Sequence, residues 1–99
     1  MPSFYIKAVG VTFENRQRII RKLNVGDKLR FVLEPTNPYD KYAIKIVTID
    51  GQIIGYVSKD YNQNIFLQIS LGVKFDLTIS SITGGGFNSS YGVNILVEY

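Results

Sequence analysis

The 99-residue chain predicts a mainly β fold with two helices, its six short strands curled into a small sheet or partly open barrel. Three observations carry that reading. Six runs either alternate apolar with polar residues or are rich in β-branched side chains, as strands are. Asp50-Gly51 separates two of those runs, and this pair is favoured in hairpin turns. Only two stretches keep helical spacing instead. A flat sheet with both helices on one side is the competing arrangement.

The first strand runs from Phe4 to Val9, with a mixed pattern that fits burial on both faces or a place near an edge. Phe13, Ile19, Ile20 and Leu23 then form a helical arc, so the first helix is expected over Phe13 to Leu23. Gly26-Asp27 stops it and turns the chain. Lys28 to Glu34 alternates, with Leu29, Phe31 and Leu33 on one face. Tyr42 to Ile49 continues the sheet and returns through Asp50-Gly51 into Gln52 to Val57. Ser58 is the expected N-cap of a second helix, whose apolar side is Tyr61, Ile65, Phe66 and Ile69. Gly72 sits where a helix-ending glycine belongs. Lys74 to Ser80 and Val93 to Tyr99 alternate as the last two strands, joined by a glycine-rich loop that carries Phe87 and Tyr91.

Composition narrows the chemistry. No linker or repeat divides residues 1–99, so a single domain is expected. The chain holds no Cys and no His, which removes disulfides, thiolate metal sites, the commonest metal ligand and the commonest general base. Its five Asp and three Glu are scattered rather than set at metal-ligand spacing, so no metal, cofactor or catalytic role is expected. No apolar stretch approaches the roughly 18 residues that cross a bilayer, and a cytoplasmic location with no membrane contact is expected. A net charge of +3 is compatible with an anionic partner without requiring one.

The most informative segment is Asn37-Pro38-Tyr39-Asp40-Lys41 between two strands. Asn and Pro set a tight turn, but a turn has no need of the aromatic and the carboxylate that follow. The first helix holds a second anomaly. Arg18, Arg21 and Lys22 share the side opposite the apolar arc and read as a solvated face, whereas Arg16 falls inside the arc. A charge there must find a partner or a pocket. Two readings stand: Arg16 turns into a ligand site, or it pairs with an acidic side chain such as Asp40 or Glu34.

Asn37 to Ile46, followed by the Asp50 to Lys59 run with its Ile54-Gly55-Tyr56-Val57-Ser58-Lys59 end, closely resembles the HIRAN domain, a module found in helicase-like DNA repair translocases and alone in bacteria and phages. The resemblance covers nearly the whole chain. It implies a modified OB-like β-barrel with two helices, and a non-catalytic pocket for the 3′ end of single-stranded DNA. Asp40 matches the position that accepts the terminal 3′-hydroxyl, within the Asn37 turn and beside Tyr39. Lys59 matches a phosphate contact, Tyr56 a ring that touches the strand, and Phe13 an aromatic that stacks on a base. Phe87 or Tyr91 stands where the family has a loop aromatic. The family arginine before the stacking aromatic is Thr12 here, and Arg16 is the candidate replacement. For each residue a structural reading stands beside the functional one: Asp40 as a turn cap, Lys59 as a surface lysine, Tyr56 and Phe13 as core. The resemblance further implies DNA repair or processing with a helicase or nuclease partner; a protein-interaction adaptor that has lost the end pocket is the alternative.

Overall fold

The computed structural model describes residues 2–99. In chain order the elements are β1 (Ser3–Lys7), α1 (Arg16–Ile20), β2 (Lys28–Leu33), β3 (Ile44–Thr48), β4 (Ile53–Tyr56), α2 (Asn62–Ser70), β5 (Asp76–Thr83) and β6 (Gly92–Glu98). The six strands form one antiparallel sheet in the order β1-β6-β5-β2-β3-β4. In β2, β5 and β6 the side that alternation marked as apolar faces the core. Ile6, Leu29, Ile44, Ile46, Leu77 and Ile79 meet Val93, Ile95 and Val97 in one core.

The sheet curls rather than lying flat. Register irregularities at Ile46/Val47 in β3 and Ile79/Ser81 in β5 add local twist. The curl brings the two edge strands together just past the end of β1. There Val9 exchanges both backbone hydrogen bonds with Tyr56 of β4, each 2.9 Å long. Gly55 makes this seam possible, because a Cβ at that position would stand 2.7 Å from the Val9 carbonyl oxygen. The result is an OB-like half-barrel with two helices, and the flat arrangement is excluded.

Both helices depart from their expected limits. α1 is one short element, because Glu14 adopts a left-handed backbone (φ 53°) and breaks the chain before Arg16. Beyond Ile20 the turn tightens, with Leu23 N–H bonded to the Ile20 carbonyl. α2 starts at Asn62 rather than directly after Ser58. The Ser58 hydroxyl accepts from the Asp60 N–H at 3.2 Å and its carbonyl from Asn62 at 3.0 Å, so Ser58 opens a preceding turn. At the other end Gly72 (φ 97°) closes α2 as expected, with Gly72 N–H on Ile69 and Val73 N–H on Gln68. Among the described residues no helix is long and apolar enough to cross a membrane.

Candidate nucleic-acid interface

A cavity of about 500 Å³ opens beside the barrel seam. Its floor is apolar, formed by Val9, Ala43 and Val57, and chemistry-bearing side chains stand around it. The wall from the β2–β3 connection is the Asn37 turn. Asn37 Oδ1 accepts the backbone N–H groups of Tyr39 (2.8 Å) and Asp40 (3.1 Å), an Asx turn that leaves Tyr39 88% exposed at the rim. Asn37 Nδ2 donates to Glu34 Oε1 at 2.6 Å. Asn37 therefore organises the turn, and its side-chain oxygen is already engaged twice.

Asp40 is held on both oxygens. Oδ1 accepts the Tyr42 N–H at 2.9 Å, and Oδ2 accepts the Asn62 amide Nδ2 at 2.8 Å. Donation by Tyr42, then by Asn62, lowers the Asp40 pKa below its ordinary value, with the Lys59 charge adding to the effect against partial burial. The carboxylate is thus fixed and ionised, and each oxygen keeps capacity for a further donor. Asp40 does cap its turn, as the structural reading had it, and it also lines the cavity.

The facing wall comes from β4 and the chain between β1 and α1. Tyr56 lies with its ring on the cavity and its hydroxyl donating to Glu34 Oε1 at 2.9 Å. Burial first, then the Glu34 carboxylate, raises the Tyr56 pKa, which keeps the phenol protonated. Glu34 itself is lowered, chiefly by Asn37 and further by Tyr56 and Lys45, the last 3.6 Å away. One carboxylate thereby ties the Asn37 turn to the Tyr56 wall. Phe13 lies outside α1 and is 64% exposed on the cavity, so it is not a core residue.

Arg16 is buried and lines the same cavity. Its Nη1 donates to the Gly10 carbonyl at 2.6 Å, and its guanidinium carbon sits 5.2 Å from the Tyr56 ring centre and 5.8 Å from that of Phe13. Its ion-pair partner is Glu14, 3.4 Å away, rather than Asp40 or Glu34. Lys59 is exposed at the cavity edge, on the turn that precedes α2, so it stands before the helix N-terminus rather than in its first turn.

The two loop aromatics stand apart from this group. Tyr91 packs partly buried against the core, with its ring folded over the backbone of Gly85. Phe87 is 97% exposed at the loop tip, and neither lines the cavity. Gln17 holds the loop stem: its Nε2 donates to the carbonyls of Val11 (2.9 Å) and Tyr91 (3.0 Å), and its Oε1 accepts the Tyr91 N–H at 2.7 Å.

Gln17 and Asn62 escaped the sequence reading, and Glu34 entered it only as a candidate partner of Arg16. Asn62 carried a signal, since Asn62, Ile65, Phe66 and Ile69 fall at i, i+3, i+4 and i+7, placing a polar residue inside the apolar arc. This is the anomaly that singled out Arg16. Among the described residues no group of three or more His, Cys, Asp or Glu could hold a metal ion.

The family model described as the HIRAN domain matches residues 1–99. The HIRAN domain of human HLTF is similar in structure, with a TM-score of 0.77 at 19% identity over 96% of this chain and 72% of that one. A Lactobacillus plantarum protein has a TM-score of 0.75 at 18% identity, over 99% of this chain and 98% of the other. At these identities the likeness is one of fold. The Fanconi-associated nuclease 1 homolog of Arabidopsis thaliana is 31% identical over 64 residues, 64% of this chain, and the match spans 7% of that protein's length.

Proposed function

The chain belongs to the HIRAN domain family, and from that premise we propose that it is a non-catalytic module that binds single-stranded DNA by its 3′-hydroxyl end. The observation that carries this reading is a fixed, ionised carboxylate, Asp40, inside a cavity whose other walls are aromatic faces and cations. An ionised carboxylate only accepts hydrogen bonds. A free 3′-hydroxyl donates to it, whereas a 3′-phosphate brings negative charge against it. The site therefore separates an end from a continuous strand.

Phe13, Tyr39 and Tyr56 supply faces for the terminal bases, and stacking accepts any base. Lys59 and Arg16 supply the positive charge for the backbone phosphate on the 5′ side of the terminal sugar. Nothing in this scheme reads base identity. Duplex binds more weakly, because stacking needs the last bases splayed. With so few cations the expected Kd is on the order of micromolar. The Arabidopsis relative's name is that of a nuclease homolog, and it supports a role in DNA repair or processing beside a helicase or nuclease partner.

The test is fluorescence anisotropy with a labelled ten-nucleotide strand ending in a 3′-hydroxyl or a 3′-phosphate. Preference for the hydroxyl, lost in Asp40→Ala, supports the proposal. Equal binding of both ends reduces the site to a generic basic surface. Absence of binding favours a protein-interaction adaptor built on the same fold.

A further inference from the structure

Asn62 is only 4% exposed, on the first turn of α2. Its orientation is fixed by chemistry, since a carboxylate offers no proton and the atom facing Asp40 Oδ2 at 2.8 Å must be the amide nitrogen. Among the described residues Asn62 Oδ1 accepts no hydrogen bond, and yet no buried side-chain oxygen or nitrogen is without a partner. Oδ1 must therefore touch solvent. Asn62 lines the cavity, which is the solvent space this nine-tenths buried side chain borders.

The neighbouring polar groups are engaged elsewhere. Asn37 Oδ1 holds two backbone N–H groups, and the Tyr56 hydroxyl donates to Glu34. Beside the cations, the cavity thus offers a ligand two acceptors held on one another, the Asp40 carboxylate and Asn62 Oδ1. Both Asn62 atoms hang on one carbon, so Oδ1 stands beside the carboxylate that Nδ2 grips. The matching ligand group is a pair of adjacent donors. A 3′-terminal ribose carries such a pair, its 2′- and 3′-hydroxyls on neighbouring carbons, whereas a deoxyribose carries one and leaves Oδ1 to water.

We propose that the cavity takes the terminal sugar as a vicinal diol, with Asp40 accepting the 3′-hydroxyl and Asn62 Oδ1 the 2′-hydroxyl. The inference rests on the 3′-end reading above and adds a preferred terminal nucleotide, a ribonucleotide. The 2′-hydroxyl is the group by which a protein tells ribose from deoxyribose, and here it meets a buried acceptor.

The experiment uses DNA ten-mers that differ only in the last sugar: deoxyribose, ribose or 2′-O-methylribose, each with a free 3′-hydroxyl, and deoxyribose with a 3′-phosphate. One neutral hydrogen bond predicts that the ribose end binds about five-fold tighter than the deoxyribose end. The 2′-O-methyl end, which has no donor there, binds no tighter than deoxyribose. In Asn62→Ala the ribose-to-deoxyribose ratio falls to about one, as expected for a lost single bond. If that variant does not fold, the three sugars on the native protein still decide. Equal binding of ribose and deoxyribose, with the hydroxyl still preferred over the phosphate, overturns the diol and leaves end recognition intact. A ratio that survives Asn62→Ala overturns the assignment to Asn62. No preference for hydroxyl over phosphate removes the end reading and the diol together.

Discussion

Replacing Gly55 with alanine tests the closure of the barrel and the cavity that depends on it. The added Cβ stands 2.7 Å from the Val9 carbonyl oxygen, and 3.3 Å from both the Ala8 Cβ and Val11 Cγ1. The nearest atom belongs to backbone, so no side chain can swing aside. Contact distances near 3.5 Å require the chain to retreat by roughly half an ångström or more. That movement strains both 2.9 Å bonds between Val9 and Tyr56. Overpacking costs about 1–3 kcal/mol and each weakened bond up to about 1 kcal/mol, so Gly55→Ala should cost about 2–4 kcal/mol. In a domain of this size that lowers Tm by about 10–25 °C. Urea unfolding, followed by tyrosine fluorescence and far-ultraviolet circular dichroism, measures it. Gly86→Ala is the control, because a Cβ there meets nothing within 4 Å and its φ is not positive; its change should stay within about 0.5 kcal/mol. A Gly55→Ala protein as stable as that control would refute the seam as a structural requirement. The same variant should weaken strand binding, since Val9 and Tyr56 are cavity walls.

Phe13→Ala should leave stability nearly unchanged, because the ring is 64% exposed, while weakening single-strand binding by about 1–3 kcal/mol in an anisotropy titration. Glu34→Ala frees both the Tyr56 hydroxyl and the Asn37 amide, so it should destabilise by about 1–3 kcal/mol and broaden the NMR signals of the 37–40 turn. The Asp40 pKa is lower folded than unfolded, so its stabilising contribution is complete above the unfolded value and is lost as pH falls through the folded one. Affinity for a 3′-hydroxyl end should therefore hold from pH 8 to 5 and fade only below the ordinary carboxylate range; a loss near neutrality would contradict an ionised acceptor. Gln17→Ala removes three hydrogen bonds, two of them to the loop stem at Tyr91, and limited proteolysis should then cut within residues 84–90 faster than in the native protein.

Alternation and turn chemistry determined much of this protein before any contact was known. A strand exposes successive side chains on opposite faces, so Val93, Ile95 and Val97 declare their inner face by spacing alone, and all three are buried. Asx and glycine turns are equally local, which is why the Asn37 turn, the Asp50-Gly51 hairpin and the Gly72 helix end could be placed from composition. The family resemblance, carried by the same local segments, also named most of the side chains that meet in the cavity. The limits of α1 were not legible, because one left-handed residue, Glu14, interrupts a pattern that still satisfies helical spacing. That interruption moved Phe13 from a presumed core arc onto the cavity.

What only the tertiary structure decided is how distant segments meet. The curl that joins Val9 to Tyr56 depends on bulges and on a 2.7 Å approach at Gly55, and neither has a period in the sequence. The seat of Arg16 over the Tyr56 ring, the grip of Asn62 on Asp40 and the clasp of Gln17 on Tyr91 are choices among many partners. Local propensity cannot rank such pairings, since hydrogen-bond geometry is fixed by where the barrel brings each strand. The chain announces its faces and its turns, and closure of the sheet assigns their neighbours.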